Sequence, residues 1–308
     1  MSNQFDIIVV GGGVLGSSIA YQLLKDGYTG KIAVFEKDST YRYASTTLSG
    51  GGFRTTFTTE VNIQIGKYCN QIFYNFEKDM ALDGEPAYID LKQCGYMFLL
   101  AKDKLTVFKD VVEYQKTLGI NSYLLTPEEI KGVIPELNIN GIAGAVYSPE
   151  DGILDPYSVM QWYIKYAKRL GAKYINQEVA AITTDGLKKV TGVASVTGEK
   201  YFAPIVINAA GAWAGDLSRK MGIDIPVRPL SRQLFHIDTQ IPFKKLLPFT
   251  FDLTGTLFRH EGSKIMTGSM TNLDFGYNFN WDRSYFENEV WPVLAERCEL
   301  FERVKLEK

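Results

Sequence analysis

Cysteine and histidine are scarce in this sequence, and their scarcity excludes several kinds of site. The three cysteines, Cys69, Cys94 and Cys298, lie far apart without CxxC spacing, which argues against a disulfide framework and a zinc site. The two histidines, His236 and His260, are too few for a histidine-rich metal centre, and no Ser/His/Asp arrangement is evident. We therefore expect no bound metal ion and a reducing, cytoplasmic location.

An excess of charge and long apolar runs are also absent. Lysine and arginine number 33 against 35 acidic residues, so the net charge of -2 supplies no broad basic field for nucleic acid. The apolar residues 5–10 follow no basic segment and run directly into glycines, which is unlike a signal peptide or a membrane span. The sequence predicts a soluble protein with no nucleic-acid partner and no membrane span.

The apolar pattern that is present predicts an α/β protein. Residues 5–10 and 31–36 read as short buried strands, and residues 14–26 carry apolar residues at helical spacing before Gly27. Together they form a βαβ unit. Further helices are predicted at 60–79, 103–118, 155–170 and 285–303, and further strands at 88–100, 141–147, 172–182 and 205–208, with a β-rich region at 235–276.

These segments divide into two interleaved parts. We expect a discontinuous Rossmann-like domain from residues 1–85 and 150–227. We expect an inserted α+β substrate domain on a mixed or antiparallel sheet from residues 86–149 and 228–284. A C-terminal helix is assigned to residues 285–308.

A glycine fingerprint sits between the first strand and the first helix. In such a motif Gly11 permits a tight turn, Gly13 lets a pyrophosphate approach the backbone, and Gly16 lets the helix pack on the strand. The phosphates then lie at the positive end of the helix dipole. Glu36 ends the second strand, where an acidic side chain accepts hydrogen bonds from ribose hydroxyls. The sequence therefore predicts a dinucleotide-binding site.

The position of a later strand helps to decide whether the site binds FAD or NAD. A strand ending in Asn208-Ala-Ala-Gly211 appears far downstream, after the inserted region. NAD-dependent folds usually continue their alternation of strand and helix without such an interruption. The interruption favours FAD, and an NAD-dependent dehydrogenase is the weaker alternative.

Several segments resemble the D-amino-acid oxidase superfamily of FAD-dependent oxidoreductases, nearest to its sarcosine and dimethylglycine branch. They are VVGGGVLG, VFEKDSTYRYASTTLSGGGFR, GILDPYSVMQWYIKYAKRLGA, VINAAGAWAGDL and PVRPLSRQLF. The resemblance covers nearly the whole chain. It implies oxidation of the C–N bond of a small N-substituted amino acid, of sarcosine, dimethylglycine or glycine type, by hydride transfer to flavin. The alternative is a non-catalytic flavin-binding subunit for assembly or interaction.

The resemblance also implies which residues bind FAD. The glycines hold the pyrophosphate, Glu36 the ribose, the serine and threonine loop the phosphate or ribityl oxygens, and the glycine run borders the flavin ring. Val179 contacts adenine through its main chain. The implied set is Gly11, Gly13, Val14, Gly16, Glu36, Lys37, Ser45, Thr46, Thr47, Gly50, Gly51, Gly52, Val179, Ala210, Gly211 and Trp213.

Two departures from the family pattern carry expectations. Relatives with covalent flavin often carry a histidine in the loop after the acidic residue, whereas this chain has none before His236, so no histidyl link is expected there. The family also continues beyond the last helix into a glycine-rich segment that covers the flavin. We therefore expect a C-terminally truncated chain of reduced activity: either another polypeptide supplies the rest, or the chain is a fragment that binds FAD weakly or not at all. The expected partners are a small amino-acid substrate and an electron-acceptor protein or a further subunit.

Two arginines are the catalytic candidates. Arg54 is the better candidate, because it directly follows the glycine run and offers a planar fork for a substrate carboxylate or the flavin; its alternative is an ordinary salt bridge. Arg259 lies in the β-rich segment on the substrate side and has a solvated strand position as its alternative. Arg232 and Tyr277 are weaker candidates.

Overall fold

A computed structural model of the chain describes residues 3–187, 189–271 and 274–307. The others, Met1, Ser2, Lys188, Asn272, Leu273 and Lys308, fall within the predicted domain ranges and lie outside the described residues. In chain order the elements are β1 (Ile7–Val10), α1 (Val14–Lys25), β2 (Ile32–Glu36), β3 (Gly52–Phe53), α2 (Glu60–Asp79), β4 (Tyr96–Leu100), α3 (Leu105–Thr117), β5 (Tyr123–Leu125), α4 (Pro127–Val133), β6 (Gly144–Ser148), β7 (Gly152–Ile153), α5 (Pro156–Arg169), β8 (Lys173–Asn176), β9 (Val179–Thr184), β10 (Val190–Ser195), β11 (Lys200–Phe202), β12 (Ile205–Asn208), α6 (Ala214–Arg219), β13 (Leu234–Asp238), β14 (Phe249–Phe251), β15 (Leu257–Glu261), β16 (Lys264–Gly268), α7 (Arg283–Tyr285), α8 (Trp291–Arg297) and β17 (Lys305–Leu306).

A four-stranded parallel sheet, in the order β12-β1-β2-β8, carries the N-terminal βαβ unit. β1 is apolar at every position and buried throughout, as strands of a parallel sheet covered on both faces should be. Its register pairs Ile7 with Ile205 on one side and with Ile32 on the other. The Rossmann-like α/β fold predicted from the sequence is therefore confirmed.

The strand predicted over residues 172–182 is two strands in two sheets. β8 completes the parallel sheet, whereas β9 belongs to a three-stranded antiparallel sheet in the order β11-β10-β9. Gln177 and Glu178 separate them, and Val196 donates its backbone N–H to the Glu178 carbonyl. The prediction of one strand was wrong because the polar stretch Asn176-Gln-Glu178 divides the segment.

The second main body is an eight-stranded mixed sheet, in the order β17-β13-β16-β15-β14-β4-β6-β5. β14 and β4 are parallel, and the other neighbours are antiparallel. One face packs with α4 and α8 into a core that includes Phe235, Phe258 and Phe301. The other face presents a second set of aromatic side chains. The domain boundaries assigned from the sequence stay a prediction.

The C-terminal segment is not the single helix predicted over residues 285–308. A π-helical turn at Phe286–Val290 joins α7 to α8, a 3-10 turn follows at Glu299–Phe301, and β17 pairs with β13. Pro292 explains the wide turn, because proline has no N–H and its ring collides with the carbonyl four residues earlier. Cys298 then adopts an extended backbone and ends α8, while Phe301 is buried in the core.

Helices α2, α3 and α5 lie where the sequence predicts helices. Among the described residues, none of the helices combines the length and the apolar character that crossing a bilayer requires.

Helix α5 begins at its predicted cap. The Asp155 carboxylate accepts hydrogen bonds from the backbone N–H groups of Tyr157, at 3.0 Å, and Ser158, at 3.2 Å, and Pro156 occupies the first turn. The buried face of α5 packs against α1 beneath the parallel sheet. The Asp155 cap therefore helps to fix the first residue of α5, which packs beneath this sheet.

Replacing Asp155 by alanine is expected to lower the free energy of unfolding by about 1 kcal/mol, because two N–H groups lose their acceptor. Urea denaturation measures the change. Asp155→Ser is the matched control, since serine also caps helices and should retain most of the stability. Equal losses in both variants would contradict the capping role.

Candidate cofactor and substrate site

A cleft of about 940 Å³ opens where the strands of the parallel sheet end. Its wall includes Val10 at the end of β1, Gly11 directly after it, Glu36 at the end of β2, and Ala209 after β12. Ligands of open α/β sheets bind at the carboxyl ends of the strands, and this volume lies within the usual range of about 300–1,000 Å³ for ligand pockets.

The three fingerprint glycines have different surroundings. Gly11 has a φ of 102°, and a Cβ there would lie 2.3 Å from the carbonyl oxygen of Ala209. A Cβ on Gly16 would lie 1.9 Å from the Gly11 carbonyl oxygen, so Gly16 allows the helix to pack and does not line the cleft. A Cβ on Gly13 would approach only the Thr46 hydroxyl, at 3.4 Å. Gly13 thus leaves open space at the start of α1.

Helix α1 begins at this open space, and its N-cap residue, Gly13, has no side chain to cap it. Thr46 Oγ1 accepts the N–H of Val14 at 3.2 Å, and Ser45 lines the cleft beside it. Thr47 does not line the cleft, and its hydroxyl is buried without a hydrogen-bond partner among the described residues. Uncapped N–H groups at the positive end of a helix, next to hydroxyls, fit the pyrophosphate of a dinucleotide.

The ribose end of the cleft is organised by Glu36. Its carboxylate accepts the N–H of Gly12 at 2.9 Å and the N–H of Asp38 at 3.0 Å. An ionised carboxylate has about four acceptor sites, so two remain for ribose hydroxyls. Val179 lies on the same wall, and the Lys37 ammonium lies 3.5 Å from the centre of the Trp213 ring. These residues, predicted from distant segments, therefore meet at one cleft.

Replacing Glu36 by glutamine is expected to raise the Kd for FAD about 10- to 100-fold, because a charge-assisted hydrogen bond is lost while one acceptor remains. Fluorescence titration with FAD measures the change. Glu178→Gln is the control, since the exposed Glu178 side chain borders the same cleft without comparable backbone bonds. Equal affinity for FAD in wild type and Glu36→Gln would show that Glu36 does not bind the ribose.

The opposite wall contains Ala210, Gly211 and Trp213. The Trp213 ring stacks on Tyr277, with ring centres 5.2 Å apart. The Tyr277 hydroxyl donates to the Asp216 carboxylate at 2.5 Å, and burial together with this bond raises the pKa of Tyr277 to about 12. Tyr277 therefore stabilises this wall through its contacts with Trp213 and Asp216. These contacts support a structural role for Tyr277 better than the weak catalytic role considered from the sequence.

The glycine run passes between the cleft and the eight-stranded sheet. Gly51 and Gly52 line the cleft, and a Cβ on Gly52 would lie 1.7 Å from the Tyr96 hydroxyl oxygen. Gly50 faces away from the cleft, where its Cβ would lie 3.1 Å from Met266 and 3.3 Å from Phe249. Glycines fit the narrow space between the cleft and the eight-stranded sheet. Their backbone can therefore come close to any ring bound in the cleft.

Arg54 leaves the glycine run and lies across aromatic rings. Its guanidinium carbon is 4.4 Å from the centre of Phe57, 5.0 Å from Phe98 and 5.9 Å from Tyr96. No carboxylate of the described residues lies within ion-pair distance of it. Burial lowers the pKa of Arg54, but arginine remains charged far above neutral pH. A half-buried guanidinium without an ion-pair partner retains its full capacity to pair with an anionic ligand.

Arg259 reaches the same face of the eight-stranded sheet, 5.9 Å from the ring of Phe249. Its side chain is buried, pairs with the Glu261 carboxylate at 2.5 Å, and donates to the His260 carbonyl at 2.5 Å. Neither Arg259 nor Arg54 belongs to the described lining of the cleft, so the two are distinguished by their partners. His260 is half-buried, and its Nδ1 accepts the N–H of Leu247. With its charge already paired, Arg259 suits substrate binding less well than Arg54.

Sequence reasoning missed Asp151, whose side chain is fully buried beneath the Arg54 segment. Its carboxylate accepts hydrogen bonds from Thr55, Thr56 and Asn70. Burial raises the pKa of Asp151, and the hydrogen bonds from Thr55 oppose that shift. The local sequence Pro149-Glu-Asp-Gly152 is typical of an exposed turn, so no sequence signal pointed to this residue.

Comparison with known proteins connects the whole chain to flavoenzymes. Residues 6–305 match the family model described as DAO, FAD dependent oxidoreductase. FAD-dependent oxidoreductase domain-containing protein 1 of Xenopus laevis is 30% identical over 340 residues, covering 98% of this chain and 68% of that protein. Mitochondrial dimethylglycine dehydrogenase of Homo sapiens is 28% identical, covering 97% of this chain and 34% of that protein. The structure of L-proline dehydrogenase from P. horikoshii superposes with a TM-score of 0.88 at 26% identity, covering 100% of this chain and 80% of that one.

Proposed function

Because the chain belongs to the DAO family of FAD-dependent oxidoreductases, we propose that it oxidises the C–N bond of a small N-substituted amino acid. The substrate is of sarcosine, dimethylglycine or glycine type. FAD is the cofactor of the family, and when bound it accepts a hydride from the carbon next to the amine. A protonated amine must first lose its ammonium proton, and water then hydrolyses the imine or, from a tertiary amine such as dimethylglycine, the iminium ion.

The half-buried Arg54 guanidinium is the observation that carries this proposal. It directly follows Gly52 and Phe53, which line the cleft, and it has no ion-pair partner among the described residues. A substrate carboxylate would supply the missing negative charge through two parallel hydrogen bonds. The substrate is thereby oriented with its amine end toward the glycine run.

Aromatic side chains complete the environment of Arg54. Tyr96 and Phe249 lie with ring centres 4.8 Å apart, and Phe98 stacks on Phe251 at 5.0 Å. This apolar wall excludes water, which strengthens the attraction between the guanidinium and a carboxylate. The protein therefore binds and orients the substrate. Because the hydride leaves a neutral amine, the reaction requires no strong base.

Anaerobic reduction of the flavin tests the proposal. Protein loaded with FAD is mixed with sarcosine, dimethylglycine, glycine or L-proline, and with sarcosinamide, which lacks the carboxylate. We expect at least one amino acid to bleach the flavin spectrum and sarcosinamide to leave it unchanged. Bound FAD that none of these amino acids reduces would favour the non-catalytic flavin-binding subunit. Once a substrate is known, oxygen consumption and dye reduction distinguish oxygen from a protein electron acceptor.

A further inference from the structure

We infer that Asp151 is a positioning residue that sets the orientation of Arg54 through the backbone of residues 54–56. This inference rests on the proposed function, since it assigns a role within the carboxylate-binding part of the same site. Asp151 lies behind the segment and does not line the cleft. It therefore makes no direct contact with a ligand in the cleft, and its hydrogen bonds act on the segment that carries Arg54.

The hydrogen bonds of Asp151 concentrate on the residues next to Arg54. Its Oδ1 accepts the backbone N–H of Thr55 at 2.9 Å and the Thr55 hydroxyl at 2.9 Å. Its Oδ2 accepts the Thr56 hydroxyl at 3.3 Å. Three donors from two consecutive residues fix the course of the main chain at the point where the Arg54 side chain departs.

The turn that carries Asp151 is itself anchored. Its carbonyl accepts the N–H of Gly95 at 2.8 Å, immediately before β4. The next residue, Gly152, pairs with Phe53 in the short β3–β7 ladder. The carboxylate is therefore fixed to the eight-stranded sheet, which also supplies the Phe98 ring under Arg54. One rigid element thus holds both the main chain and the guanidinium.

Helix α2 holds the same segment from the other side. A Cβ on Gly66 would lie 2.6 Å from the Arg54 carbonyl oxygen, so the helix backbone packs directly on this residue. Asn70, one turn further along, donates to Asp151 Oδ1 at 3.3 Å. Thr55, Thr56, Asn70 and Asp151 are all buried. Such a buried network is costly to leave unsatisfied and restricts the segment to one geometry.

Two roles for Asp151 predict opposite effects on anion binding. A buried negative charge near Arg54 weakens the attraction of the site for a carboxylate, so its neutralisation alone would strengthen binding. A positioning residue acts through its acceptor oxygens, so removing them would weaken binding. Asp151→Asn removes the charge and keeps Oδ1, whereas Asp151→Ala removes both oxygens.

The experiment titrates FAD-loaded protein with acetate and with acetamide. The readouts are the shift of the flavin spectrum and the heat of binding, with FAD content and thermal midpoint recorded for each variant. We expect Asp151→Ala to weaken acetate binding about 10-fold or more, since small misplacements of a binding group have large effects. Asp151→Asn should bind acetate at least as tightly as wild type. Acetamide binding should be the same in all three proteins.

Three results would overturn the inference: unchanged acetate affinity in Asp151→Ala, parallel loss of acetate and acetamide, or loss of acetate affinity in Asp151→Asn equal to that in Asp151→Ala. If Asp151→Ala does not fold, Thr55→Val takes its place, because it deletes one hydroxyl donor and keeps the backbone bond. It should weaken acetate binding by a smaller factor, about 3-fold, and an unchanged affinity would contradict the inference. Failure of every amino acid to reduce the flavin would affect the proposed function alone, since acetate binding is measured without turnover.

Discussion

Replacing Arg54 by glutamine is expected to lower kcat/KM for the amino-acid substrate by about two to three orders of magnitude. Truncating one partner of a desolvated, hydrogen-bonded charge pair typically costs about 2–5 kcal/mol, or roughly 30- to 4,000-fold, and the expected loss lies in the middle of this range. The FAD content should be unchanged, because Arg54 is not among the described residues that line the cleft. Stopped-flow reduction of the bound flavin measures the effect, with each substrate varied in concentration.

Two further arginine variants sharpen this prediction. Arg54→Lys keeps the charge and loses the planar fork, so its rate should lie between wild type and Arg54→Gln. Arg259→Gln is the matched control, since the Arg259 guanidinium already pairs with Glu261. If kcat/KM falls further in Arg259→Gln than in Arg54→Gln, at equal FAD content, Arg259 and not Arg54 binds the substrate carboxylate.

Replacing Gly13 by valine is expected to abolish measurable FAD binding while the protein remains folded. Around Gly13 a Cβ meets only the Thr46 hydroxyl at 3.4 Å, so the protein itself has room for a side chain. The space that valine fills is the space that the pyrophosphate needs at the start of α1. Fluorescence titration with FAD, together with circular dichroism, measures both parts of the prediction.

Gly132→Val provides the control for the fold. Gly132 lies in α4, away from the cleft, and a Cβ there has no neighbour within 4 Å. This variant should bind FAD like wild type and be at least as stable, because valine has a higher helix propensity than glycine. If Gly13→Val retains FAD as well as Gly132→Val does, the phosphates do not lie at the start of α1.

The cofactor half of the site could be predicted because its signals are local or regularly spaced. Gly11, Gly13 and Glu36 follow from strand and helix periodicity, and the structure places all three at one cleft. Val179 and Trp213 were assigned by resemblance, and they line the same cleft. A turn that needs glycine, and an acidic residue at the end of a strand, leave marks that can be read from a single sequence.

The substrate half could not be predicted to the same depth because its chemistry depends on distant partners. Asp151 resembles a surface residue until the fold buries it against Thr55, far away in the sequence. Arg259 and Arg54 look equivalent as isolated cations, and only the structure shows that Glu261 neutralises one of them. The prediction of a single C-terminal helix was wrong for a local reason, because Pro292 interrupts the regular helix.

The pairing of β1 with β12 has a consequence for how the chain is made. Ile7 and its partner Ile205 are separated by ~200 residues, so at about 5–20 residues per second β1 leaves the ribosome roughly 10–40 seconds before β12 exists. Until then one edge of an Ile- and Val-rich strand is open to pairing with other chains. The Gly11 turn, although local in sequence, also lacks its neighbour Ala209 during this interval. Newly made chains therefore depend most on chaperones before β12 emerges, and FAD is captured only after the inserted region has been synthesised.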